Sequence, residues 1–74
     1  MDNLEVENIW DRVRMGLLGE LPESSYAWIN SFEATGYAGG VFTVVTDLEM
    51  AAAVIRQFHL KEVKEVFKRV TGKS

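Results

Sequence analysis

The chain has no cysteine, one proline and one histidine. Without cysteine, neither a disulfide framework nor a thiolate-bound zinc cluster can staple the fold. Seventy-four residues lie near the lower end of what folds without such staples, so apolar burial must suffice. No apolar run approaches the roughly 18 residues of a spanning helix, and nothing resembles a signal peptide. One cytoplasmic domain covering residues 1–74, with no membrane partner, is the expectation. Positive charge is also short: eight Lys and Arg face eleven Asp and Glu, for a net charge of −3. That balance argues against a nucleic-acid partner held mainly through phosphate contacts.

Chemistry-bearing motifs are equally sparse. His59 stands alone, with no cysteine and no carboxylate spacing that would make a zinc site. Catalysis would require a positioned nucleophile or acid beside it. Ser24-Ser25 lack the GxSxG surroundings of a nucleophile elbow, and their place just after Pro22 suits local backbone capping. The glycines form neither a GxGxxG pattern nor a phosphate loop, and the terminal Gly72-Lys73-Ser74 lacks every other Walker element. No catalytic residue, cofactor or metal ligand is expected, and the chain reads as non-enzymatic.

What is present is a core-building pattern: 47% of the residues are hydrophobic, eight of them aromatic. Asp2 or Asn3 can cap a first helix running to about Gly19. At about 100° per residue, Val6, Ile9, Trp10, Val13 and Leu17 share one arc. Met15 points almost opposite that arc, and Leu18 lies off its edge. Pro22 suits the first turn of a second helix, which reaches about Ser31 and carries Tyr26, Trp28 and Ile29, with Phe32 just beyond. So short and aromatic a helix must be largely buried to persist.

The period then changes. Gly39-Gly40 between β-rich flanks, with Val41-Phe42-Thr43-Val44-Val45 following, reads as a hairpin. Thr46-Asp47-Leu48-Glu49 has capping-box spacing and should start a third helix. Met50, Ala51, Val54 and Phe58 share one side of it, whereas Leu60, Val63, Val66, Phe67 and Val70 follow an arc displaced by roughly 160°. A straight helix cannot bury both stripes against one core, so a kink or break is expected near His59-Leu60, with Gly72 ending the last segment. The fold class expected is α+β: two helices, a hairpin, then a kinked or split C-terminal helix.

Charge is unevenly spread. Residues 1–33 hold seven acids and two bases, whereas residues 34–74 hold four acids and six bases. Lys61, Lys64 and Lys68 line one side of the last helix. Such a stripe can track phosphates, although Glu62 and Glu65 interleave it and lysines near a helix end also favour its dipole. Trp10 has two readings, a core tryptophan or a partly exposed anchor of the kind that dominates interfaces.

In order and spacing, these segments resemble the N-terminal domain (domain I) of the bacterial replication initiator DnaA, over nearly the whole chain. The resemblance rests on Ile9-Trp10, Leu21, Ser24-Ser25-Tyr26, Trp28-Ile29, the Gly40-Val41-Phe42-Thr43-Val44 strand, Met50-Ala51, Val54-Ile55, His59-Leu60 and Thr71-Gly72. It implies a KH-like fold and a protein-docking role in place of catalysis. It assigns weak self-association to Ile9 and Trp10. It assigns docking of the replicative helicase and initiation regulators to Ser25, Trp28, Glu49, Met50 and Ala51, with little direct nucleic-acid binding. The chain departs from the family pattern where Met50 replaces a phenylalanine, where His59 replaces a tyrosine, and where Thr46-Asp47-Leu48-Glu49 replaces a Pro-Asn start. The alternatives are a free-standing adaptor or decoy of the same fold, and a small KH-like nucleic-acid-binding domain. The latter lacks the GXXG loop that clamps phosphates.

Overall fold

A computed structural model describes residues 3–72. The elements run α1 (Asn3–Leu17), α2 (Glu23–Ile29), β1 (Glu33–Ala38), β2 (Val41–Val45), α3 (Glu49–Val54), a π-helical segment (Ile55–His59) and α4 (Leu60–Thr71). The domain is therefore a small α+β unit of helices, an antiparallel hairpin and a C-terminal helical run. No helix among the described residues is long and apolar enough to cross a membrane.

The first helix forms where its apolar spacing placed it. Val6, Trp10, Val13 and Leu17 are buried, Ile9 is half-buried, and Met15 and Leu18 face outward. The helix stops at Leu17, two residues short of the expected end, and Leu18–Glu20 form a turn. Asp2, one of the two expected caps, lies outside the described residues, and Asn3 is already helical. α1 packs against both α4 and β1. It meets α4 closely at Gly16, where a Cβ would stand only 2.6 Å from Val66 Cγ1. Val66 is 1% exposed and has little room to retreat, so the missing side chain at Gly16 sets the spacing of the two helices.

The hairpin turns at Gly39-Gly40, as expected. Both glycines have positive φ, 59° and 78°, which a two-residue I′ turn demands and a side chain would resist. Ala38 pairs with Val41 and Glu33 with Val45, and the register slips by one residue between Ala34 and Gly36. That slip makes Thr35 a bulge residue. Phe42 and Val44 turn toward the helices, whereas Val41, Thr43 and Val45 face outward. A two-stranded sheet has little stability of its own. Here Phe42 joins Trp10, Tyr37 and Phe67 in an aromatic cluster with ring centroids 5.0–6.4 Å apart, and the hairpin gains its support there.

Two expectations about the C-terminal run need correction. Thr46 does not cap α3. The N-cap is Leu48, which has no side-chain cap. Thr46 Oγ1 instead accepts the Leu48 N–H at 3.2 Å and shares a 2.8 Å hydrogen bond with Ser31 Oγ. Ser31 donates its own proton to the Trp28 carbonyl, at 2.7 Å, so Thr46 is the donor between the two hydroxyls. This chain of bonds pins the strand exit to the end of α2 and consumes the capping potential of Thr46.

The second correction concerns the two apolar stripes. The helical run is disturbed where expected: Ile55–His59 is π-helical, and His59 leaves helical geometry at φ −129°, ψ 6°. Yet the first stripe is not turned inward by that disturbance. Ala51, Ile55 and Val66 are buried, whereas Met50 and Phe58 are 62% and 65% exposed. Ala51 and Ile55, one turn apart, and Val66 on α4 all reach the core from either side of the disturbance. The second stripe packs inward through Val66, with Val63, Phe67 and Val70 half-buried, while Met50 and Phe58 of the first stripe stay outside. Gly72 ends the run in the left-handed conformation, its N–H bonded to the Lys68 carbonyl at 2.8 Å.

Candidate protein interface

Two surfaces were assigned by resemblance, and they fare differently. The self-association pair lies on α1. Trp10 is a core residue, only 5% exposed. Its indole N–H donates to the Phe32 carbonyl at 3.2 Å, and its ring meets Phe32 edge-on at 6.5 Å. The partly exposed anchor considered for Trp10 is thus not what forms. Its N–H and its contacts with Phe32 and Phe42 hold it in the core. Ile9 is half-buried and packs against the core cluster. Above Trp10 lies a shallow groove of about 300 Å³ lined by Glu7, Asp11, Arg14, Phe32, Glu33 and Ala34. Arg14 and Asp11 pair across its rim.

The second surface is built where α2 packs on α3 and the π segment. Small Ala51 and Ala52 face inward, which allows the short α2 to lie close, while the larger side chains point outward. Glu49 and Met50 are exposed, Ser25 and Trp28 are half-buried, and Ala51 is fully buried. Ala51 therefore cannot touch a partner without unpacking, because its methyl group fills the α2–α3 contact. Leu48, Met50 and Phe58 are all exposed. Met50 and Val54 lie one turn apart on α3, and Phe58 lies in the π segment that follows. The first helical segment of the C-terminal run thus presents an apolar ridge to solvent.

Comparison with models of known families, with curated proteins and with solved structures finds no match.

Beside the apolar ridge stands a group of polar side chains that sequence reasoning dismissed one at a time. Ser25 Oγ, in the first turn of α2, lies 2.8 Å from His59 Nε2. His59 Nδ1 lies 3.7 Å from Glu62 Oε2. That carboxylate oxygen is buried and accepts no hydrogen bond among the described residues, so the imidazole is its nearest complement. Ser25 and His59 are 34 residues apart in the chain, and no local motif could have joined them. The only available signal was the expected break at His59, which turns a residue out of the helical series.

Further along, Lys61, Lys64 and Lys68 are exposed on α4, as the spacing implied. Arg69 is engaged elsewhere: it meets Glu20 at 3.1 Å and fastens α4 to the turn after α1. No cluster of metal-ligating side chains occurs among the described residues.

Proposed function

We propose that this domain is a protein-docking module of the DnaA domain I type, whose main contact surface is the apolar ridge of α3 and the π segment beside α2. The observation that carries the reading is the exposure of Leu48, Met50 and Phe58 on the segment that packs beside α2. Large apolar side chains left together on the surface mark a site of contact. Met50 and Phe58 supply adaptable and aromatic anchors, with Glu49 and Ser25 at the rim. The residue order that resembles domain I supports a replicative helicase or an initiation regulator as the partner. Weak self-association through Ile9 and the groove above Trp10 belongs to the same reading, with Trp10 acting as a buried floor.

The reading is tested by amide chemical-shift titration of the labelled domain with replicative helicase, and with single-stranded DNA in a parallel sample. Helicase-induced shifts centred on Ser25, Glu49, Met50 and Phe58, with little response to DNA, are expected. A silent helicase together with DNA shifts along Lys61, Lys64 and Lys68 would replace the docking reading with nucleic-acid binding. The exposed lysine stripe is the one feature that favours that second reading.

A further inference from the structure

We infer that Ser25 is an activated nucleophile, with His59 as its general base and Glu62 as the residue that positions the imidazole, and that it accepts the acyl group of an ester or thioester. The inference goes beyond docking and rests on geometry alone. Glu62 Oε2, buried and otherwise without a hydrogen-bond donor among the described residues, faces Nδ1 at 3.7 Å. A carboxylate there favours the tautomer with the proton on Nδ1. Nε2 then presents its lone pair to Ser25 Oγ at 2.8 Å, and the hydroxyl becomes the donor. The order of groups is that of a Ser–His–acid relay, with the carboxylate at 3.7 Å, beyond hydrogen-bond reach, acting on the imidazole through its charge.

The backbone converges on the same point. His59 closes a π-helical segment, a form that recurs at functional sites. Its φ of −129° and ψ of 6° place it near the sparsely allowed bridge region, where many active-site residues sit. The departure from helical geometry lets the ring reach α2. Ser25 is only half-buried, and Phe58 and Leu60, on either side of His59 in sequence, are exposed. The acyl donor would approach the hydroxyl from that exposed side.

In the step, Ser25 Oγ bonds to the acyl carbon and its proton passes to His59 Nε2. The ester or thioester bond then breaks, and the leaving alkoxide or thiolate takes that proton back from Nε2. The product is an acyl–Ser25 ester and a free alcohol or thiol, and His59 is neutral again.

The test treats the whole chain with a small alkyl fluorophosphonate, in which fluoride leaves and a Ser–O–P bond marks the nucleophile. Intact-mass and peptide analysis should show one adduct, on Ser25. The rate should be unchanged in Ser24→Ala and lower by about a hundredfold in His59→Gln, with melting curves establishing that each variant is folded. Imidazole nitrogen shifts should show the proton on Nδ1 in the wild type and a mixed tautomer in Glu62→Gln. No adduct on the folded wild type, an adduct placed elsewhere, or a rate indifferent to His59→Gln would overturn the proposal. So would a wild-type His59 that carries its proton on Nε2. None of these outcomes bears on helicase docking, which is read separately by shifts at Met50 and Phe58.

Discussion

Two helices of this domain carry apolar side chains at the same spacing and treat them in opposite ways. α1 buries Val6, Trp10, Val13 and Leu17, whereas the start of the C-terminal run leaves Met50 and Phe58 in solvent. The pattern alone does not decide the outcome. α1 packs against both β1 and α4. In the C-terminal run Ala51, Ile55 and Val66 reach the core. Ala51 is small enough to let α2 approach, so its side of α3 turns inward. Met50 and Phe58 are left outward because the core has no second wall for them. A periodic apolar pattern therefore reports that a helix has an apolar face; which face is buried depends on what the neighbours can fit against.

Breaking the buried side of this contrast should have the largest effect. Trp10→Ala removes an indole that meets Phe32 and Phe42 and donates to the Phe32 carbonyl. A loss of about 3–5 kcal/mol is expected, enough to abolish the cooperative thermal melt of a domain this small. A melt that survives Trp10→Ala near its wild-type midpoint would refute the core assignment.

Gly16→Ala comes next. The added methyl would stand 2.6 Å from Val66 Cγ1, and overpacking of this kind costs about 1–3 kcal/mol, partly offset by about 1 kcal/mol of helix propensity. Pairing it with Val66→Ala sharpens the test. The double variant should be more stable than the two single changes predict by addition, as urea denaturation would show. Strict additivity would mean that the two helices do not meet there.

Gly40→Ala should cost about 1–2 kcal/mol, because φ 78° is left-handed backbone. The loss should appear as faster amide exchange in β1 and β2 before it appears in α1. Uniform exchange across the domain would show that the hairpin does not open on its own.

The exposed side of the contrast should respond least in stability and most in binding. Met50→Glu and Phe58→Ser should each change the unfolding free energy by no more than about 0.5 kcal/mol while abolishing the helicase-induced shifts. A large drop in melting temperature would place these side chains in the core. Unchanged shifts would remove the ridge from the interface.

The legible parts of the fold are those written in consecutive residues. The α1 stripe, the Gly39-Gly40 turn, the helix start after Pro22 and the disturbance at His59 all depend on local spacing or on backbone freedom. Other features depend on who meets whom across the chain. Thr46 has capping-box spacing but bonds to Ser31, because the neck of the hairpin brings the two hydroxyls together. Gly16 looks like any helical glycine until Val66 is found against it. The exposure of Met50 and Phe58 depends on which side chains α2 and α4 can fit against, which spacing along one helix does not show. Of the residues assigned to the candidate interface, Glu49 and Met50 are exposed. Trp10 and Ala51 are not, since burial is a property of the whole packing. The Ser25–His59 contact was beyond reach, its residues separated by both strands and a helix.

The pin between Ser31 and Thr46 has one more consequence. By holding the two ends of residues 32–45 together, it makes the hairpin a closed cassette whose neck length does not depend on its tip. Peptides inserted between Gly39 and Gly40 would add loop entropy only slowly with length and would leave the spacing between α2 and α3 unchanged. The tip is therefore the place to carry an affinity tag or a fluorophore through the fold while both faces of the domain stay free.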